Sequence, residues 1–224
     1  MHYALLCIVC LVIAVLLLFQ ERDGHYVQAV ILKGLASLCF VILGFLCASH
    51  AGWPRPACMI VCGLVLGAVA DVMLNLRRVF EKAGQAIFLI GILIFLAGHI
   101  VYLCAVLPLC PAPFLSALAA AGITCLLMRW LFKKISAKKA FKIFGVVYIG
   151  AIVFLNCVAL VNLFSYFSTF NLLFAVGALL FLVSDIVLIL NTFGSESKFS
   201  LRFLNLGLYY AGQLIIALSC LALH

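Results

Sequence analysis

A chain of 224 residues, 69% of them hydrophobic and only 9% charged, carries more apolar side chain than a water-soluble core of that size can hide. The formal net charge of +8 therefore reads as membrane topology and attraction to anionic lipid, and nucleic acid is set aside as a partner. Long apolar runs, in place of short segments of alternating hydrophobicity, also exclude a membrane β-barrel.

Eight runs have about the 20 residues that a helix needs to cross roughly 30 Å of hydrocarbon: 3–19, 29–49, 57–76, 86–107, 114–132, 143–167, 171–193 and 203–223. The expected fold is an all-α membrane protein, a single polytopic domain over 1–224. The first run is short but has neither a basic segment before it nor a small-residue cleavage site, so it is expected to be a helix and not a signal peptide. Its Cys7 and Cys10 form a C-x-x-C, and most of the eleven cysteines sit inside spans, where they read as small apolar fillers. Glu21 and Asp23 are assigned to the first connection. Lys33 follows, about one turn into the second helix. There its stem can snorkel to the headgroups, or its ammonium can meet a phosphate.

The third span ends in "ADVMLNLRR". Asp71, Asn75 and Arg78 lie at i, i+4 and i+7 and form one polar stripe. An ionisable group inside a membrane helix costs roughly 2.5 to 3.5 kcal/mol, so it usually faces a bundle interior or a water cavity. The bland alternative is an ion-paired residue that glues helices. Six residues separate Asp71 from Arg77, about 9 Å along a helix, which sets the acid in the cytoplasmic half of the bilayer. The fourth span places His99 and Tyr102 on one face, and the sixth offers Tyr148 and Asn156 as weaker candidates. The seventh carries "SDIVLIL" with Asp185, and the eighth aligns Asn205, Tyr209 and Gln213. Each polar residue alone would more often be an interhelical hydrogen bond than a ligand. With the two acids they would line one cavity.

Basic residues orient the chain. Arg22 and Lys33 flank the first connection, and Arg77, Arg78 and Lys82 the third. Arg129, Lys133, Lys134, Lys138, Lys139 and Lys142 flank the fifth, and Lys198 and Arg202 the seventh. Arg55 is the one exception. Both termini are therefore expected to face away from the cytoplasm. Of the six acids, Glu21, Asp23, Glu81 and Glu196 are assigned to cytoplasmic connections, leaving Asp71 and Asp185 in the membrane. His99 follows Asp71 by 28 residues and Gln213 follows Asp185 by 28, an offset of 114 between the pairs. That equality suggests a parallel 4+4 internal repeat with halves of about 1–113 and 114–224. His2, His25, His50 and His224 lie in ends or loops, so no metal site is expected. An intramembrane aspartyl protease would need Gly-x-Gly-Asp and Pro-Ala-Leu; the chain has "AVAD", "LVSD" and no Pro-Ala-Leu.

"GAVADVMLNLRRVF", "FLAGHIVYLCAV", "GALLFLVSDIVLILNTF" and "LYYAGQLIIALS" together resemble the YhhN-like lysoplasmalogenase family. The likeness extends to Lys33 and to "VVYIGAI" around Tyr148; Ala70 departs from the Gly that many relatives have before the first acid, and "RRVFEKAG" is longer and more basic than expected. The resemblance implies hydrolysis of the sn-1 vinyl ether of a lysoplasmalogen to a fatty aldehyde and glycerophosphoethanolamine or glycerophosphocholine. Asp71 and Asp185 would share one proton and act as acid and base, without cofactor or metal. His99, Tyr102, Tyr209 and Gln213 would position water and the glycerol oxygens. Arg77, Arg78 and Lys33 would hold the phosphate, with Asn75, Tyr148 and Asn191 as further substrate contacts. The partners are then the lysophospholipid substrate and membrane lipid, and the expected setting is a bacterial inner membrane. A small proton-coupled transporter or lipid carrier is the rival, disfavoured because all five prolines fall in connections and break no span.

Overall fold

A computed structural model describes residues 2–136 and 139–223, without the side chains of 139 and 140. Lys138 and His224, and the side chain of Lys139, read above as loop cations and a terminal histidine, lie outside the described residues. The described residues form eight α-helices and no strand: α1 (His2–Arg22), α2 (Tyr26–His50), α3 (Arg55–Leu76), α4 (Gly84–Val106), α5 (Pro113–Phe132), α6 (Lys139–Ser165), α7 (Thr169–Phe193) and α8 (Phe199–Ser219). All eight are long and apolar enough to cross a membrane. Pro54 precedes α3 and Pro113 opens α5, where a missing N–H leaves no gap in the helical ladder. Ser168 caps α7 by accepting a hydrogen bond from the Asn171 backbone N–H at 3.1 Å.

Large apolar side chains cover the outside, as lipid solvation requires: Phe114, Leu126 and Phe164 are 82%, 70% and 84% exposed. Inside, α2 packs on α1, α3 and α8, while α6 packs on α5, α7 and α4. The tightest pairs are α3 with α4 and α7 with α8. Both cross at glycines. A methyl on Gly98 would meet the Gly63 carbonyl oxygen at 3.4 Å, and a methyl on Gly212 would meet that of Gly177 at 2.9 Å. Gly177 and Gly212 stand 114 residues beyond Gly63 and Gly98, the offset that also relates Asp71 to Asp185. Small residues let helix backbones approach closely in lipid, where packing rather than water drives association. Helix adjacency differs between the halves: α1 and α3 both touch α8, whereas among the described residues α5 and α7 have no comparable contact with α4.

The helices run further at the basic end than the hydropathy runs do, and this corrects two assignments. Glu21 is not in a connection; it sits in the last turn of α1, 9% exposed, in line with buried Cys10, Ala14, Leu17 and Leu18. Arg202 likewise belongs to the first turn of α8, not to the loop before it. The first connection shrinks to a tight reversal through Gly24, at φ 80°, so Lys33 lies two turns into α2 and not one.

Candidate active site

The end of α3 turns Asp71 inward, at 2% exposure, toward α2 and α8. One carboxylate oxygen meets Lys33 Nζ at 2.9 Å. The other accepts hydrogen bonds from Ser37 Oγ at 2.5 Å and from Tyr209 OH at 2.7 Å. The Lys33 ammonium also lies 4.6 Å and 4.8 Å from the ring centroids of Tyr209 and Tyr210, a cation–π arrangement on both. Lys33 is thus buried against a carboxylate and does not snorkel. A hydrogen-bonded chain continues away from the basic end: Gln213 Nε2 donates to Tyr209 OH at 3.3 Å, and Tyr102 OH donates to Gln213 Oε1 at 2.9 Å.

Asp185, on α7, has a sparser environment. Tyr148 OH from α6 donates to its Oδ2 at 2.7 Å. His99 on α4 stands close, with Nε2 4.0 Å from the same oxygen. That is beyond hydrogen-bond range, and neither ring nitrogen of His99 has a partner among the described residues. Aromatic edges enclose the imidazole, with Phe181 at 4.6 Å and Tyr148 at 5.7 Å between centroids.

A second charged group lies nearer the basic end. Arg202 grips Glu21 with two hydrogen bonds, 2.7 Å from Nε and 2.6 Å from Nη2, and donates a third to Asn205 Oδ1 at 3.2 Å. Asn75 Nδ2 donates to Glu21 at 3.2 Å, and Arg78 stands 3.6 Å from the same carboxylate. Arg77 stacks its guanidinium 4.4 Å above the ring of Phe88. Phe88, Phe141 and Phe193, one each from α4, α6 and α7, form a triangle with centroids 5.8 to 6.1 Å apart.

Between these groups lies a partly open cavity. Asp71 and Asp185 both line it. Among the described residues its cationic and amide side chains come from α2, from α3 and the turn just after it, and from α8: Lys33, Asn75, Arg77, Arg78, Arg202 and Asn205. The lining from α4, α6 and α7 is mostly apolar, with Phe88, Ile92, Phe141, Phe144, Leu188, Ile189 and Phe193 beside Tyr148, Asp185 and Thr192. Its lining runs from Asp71 and Asp185 to Arg77, Phe88 and Phe193, toward the end where helices α2, α4, α6 and α8 begin, the end that carries the basic connections.

Of the residues singled out in the sequence, Lys33, Asp71, Asn75, Arg77, Arg78, Tyr148, Asp185, Asn205 and Tyr209 line this cavity. His99, Tyr102 and Gln213 do not; they pack behind it as supports. Two candidates serve the helices instead. Asn191 accepts a hydrogen bond from the Lys198 backbone N–H at 2.7 Å, fixing the turn between α7 and α8. Asn156 donates to the carbonyls of Ile152 at 2.9 Å and Ala178 at 3.3 Å. Three site residues were missed: Glu21, Arg202 and Ser37. Helical periodicity carries the signal for the first two. Glu21 continues the buried face of α1, and Arg202 lies three and seven residues before Asn205 and Tyr209. Ser37, one turn after Lys33, resembles any small residue of a packed helix. Among the described residues no three His, Cys, Asp or Glu side chains gather as metal ligands would.

The model of the YhhN family matches residues 28–220, most of the chain. No curated protein and no solved structure gives a match.

Proposed function

The chain belongs to the YhhN family, and from that premise we propose that it is a lysoplasmalogenase-like hydrolase, cleaving the sn-1 vinyl ether of a lysophospholipid. One observation carries this reading: two buried carboxyl groups line a single cavity whose cationic side chains come from one set of helices and whose mostly apolar lining comes from another. A single-chain phospholipid has that same division, an anionic phosphate at one end and a hydrocarbon tail at the other. The labile bond lies between them.

A vinyl ether hydrolyses by protonation at the carbon beyond the one that bears oxygen. The C=C π pair forms the new C–H bond, leaving an oxocarbenium ion on the carbon attached to oxygen. Water adds there and loses a proton, and the hemiacetal collapses to an aldehyde and the glycerol hydroxyl. In this scheme the hydrogen bonds divide the labour. Asp71 receives three donors, one of them the Lys33 ammonium, so it is the fixed anion that faces the developing positive charge. Asp185 receives one donor, from Tyr148, and is the acid that gives its proton to carbon. Once ionised, it takes a proton from the incoming water and returns to its starting state. Tyr148 keeps the Asp185 carboxyl aimed through both halves of the cycle.

By the positive-inside rule the basic end of the cavity faces the cytoplasm, so in this reading substrate enters from that leaflet and both termini lie on the far side. The test is to incubate detergent-purified protein with lysoplasmenyl-ethanolamine and trap the aldehyde. Release that is lost in Asp71→Asn and in Asp185→Asn, with an unchanged size-exclusion profile, is the expected result. No aldehyde from the parent protein, together with proton-coupled flux in liposomes, would replace this reading with a transporter.

A further inference from the structure

Among the described residues four cations line the cavity: Lys33, Arg77, Arg78 and Arg202. Three are matched to carboxylates. Lys33 is ion-paired with Asp71, and Arg78 and Arg202 with Glu21. Arg77 has no carboxylate within ion-pair distance among the described residues; its contact is the face of Phe88. Burial, and after it the neighbouring Arg78 and Arg202, draw the Arg77 guanidinium down to about 10. It is still charged at neutral pH but has more positive than negative company. A half-buried cation on a cavity wall with no counter-charge of its own is a place for an anion that arrives with a ligand.

We infer that Arg77 is the anion anchor of this cavity, holding the phosphodiester of a single-chain phospholipid, while Lys33, Arg78 and Arg202 are committed to the protein's own carboxylates. This rests on the lysophospholipid reading above. The Arg77 guanidinium carbon lies over the Phe88 ring, 4.4 Å from its centroid, and a guanidinium held there can give two N–H groups to two oxygens of one phosphate, a grip that a lysine cannot reproduce. The position suits the task. Arg77 is six residues beyond Asp71, about 9 Å along the helix, so an anchored phosphate leaves the length of a glycerol backbone for the ether to reach the acids. Glu21 has a corresponding role: it keeps Arg78 and Arg202 from competing for the phosphate.

The experiment measures equilibrium binding to the full chain in detergent, with four probes. These are a non-cleavable 1-O-alkyl lysophosphoethanolamine, the 1-O-alkylglycerol of equal chain length, glycerophosphoethanolamine without a chain, and inorganic phosphate. The parent protein should bind the alkyl phospholipid more tightly than the alkylglycerol. Arg77→Gln should weaken the phospholipid about tenfold to a hundredfold, the range for a hydrogen-bonded charge pair, and leave the alkylglycerol unchanged. Arg77→Lys should recover part of the loss, and Arg78→Gln should leave the ratio of the two affinities as it is. Should Arg77→Gln fail to fold, Arg77→Lys and displacement of the phospholipid from the parent by glycerophosphoethanolamine decide the matter. An unchanged ratio in Arg77→Gln overturns the inference, as does no preference for phosphate in the parent. Inorganic phosphate that binds as tightly as the phospholipid would make this a free-phosphate site. Because the alkyl ether cannot be hydrolysed, a protein that binds as expected but releases no aldehyde from a vinyl ether would sink the hydrolase reading alone.

Discussion

Lys33 and Asp71 form a buried ion pair between α2 and α3, at 2.9 Å, with both side chains nearly inaccessible. Removing one partner strands the other. Lys33→Met should therefore lower stability by about 3 to 5 kcal/mol in unfolding from mixed micelles. Lys33→Met combined with Asp71→Leu replaces the pair with apolar volume and should recover most of that loss, yet release no aldehyde. Recovery of activity along with stability would show that Asp71 is helix glue and nothing more.

Tyr148 supplies the hydrogen bond to Asp185, at 2.7 Å. Tyr148→Phe keeps the ring among its neighbours and removes only the hydroxyl. It should lower kcat about tenfold to a hundredfold, as expected when a hydrogen bond to a charged group is lost, with a small change in melting temperature. A variant with normal kcat would show that Asp185 needs no such orientation.

Glu21 and Arg202 join α1 to α8 through two hydrogen bonds of 2.7 and 2.6 Å. Glu21→Ala leaves Arg202 charged and without its partner at the edge of the cavity. A loss of about 3 to 5 kcal/mol is expected, measurable as a fall in the melting temperature of the detergent-solubilised protein. A change below about 1 kcal/mol, typical of exposed pairs, would mean that water reaches this network.

The fold was legible because lipid imposes a single demand on every span, a run of apolar residues, and basic residues then mark alternate connections. The acids were legible for a related reason: Asp71 and Asp185 are costly in those runs, so they stand out. Charge at the ends of runs was harder to place. Glu21 and Arg202 look like loop residues by hydropathy, and only their phase on α1 and α8 reveals that they face inward. Lys33 was assigned to headgroups or phosphate because no local pattern states which acid a neighbouring helix will bring to it. Asn191 and Asn156 show the converse: a polar residue in or near a span often satisfies a backbone carbonyl or N–H and nothing else.

The glycine crossings make a prediction independent of the chemistry. Gly177→Ala would press a methyl against the Gly212 carbonyl at 2.9 Å, forcing α7 and α8 apart at a cost of about 1 to 3 kcal/mol. Gly122→Ala on α5 meets nothing within 4 Å and should be neutral or stabilising. Comparing the two melting temperatures checks this, and equal effects would mean that the crossing is looser than the distances imply.

Delivery of a proton from Asp185 to carbon leaves an isotopic mark on the product. Lysoplasmenyl-ethanolamine is hydrolysed in D₂O, the aldehyde is reduced at once to the alcohol, and the mass spectrum is read for deuterium. One deuterium is expected on the carbon next to the former aldehyde carbon, and none above background from Asp185→Asn. Aldehyde formed without carbon-bound deuterium, or labelled equally well by the Asp185→Asn protein, would contradict it.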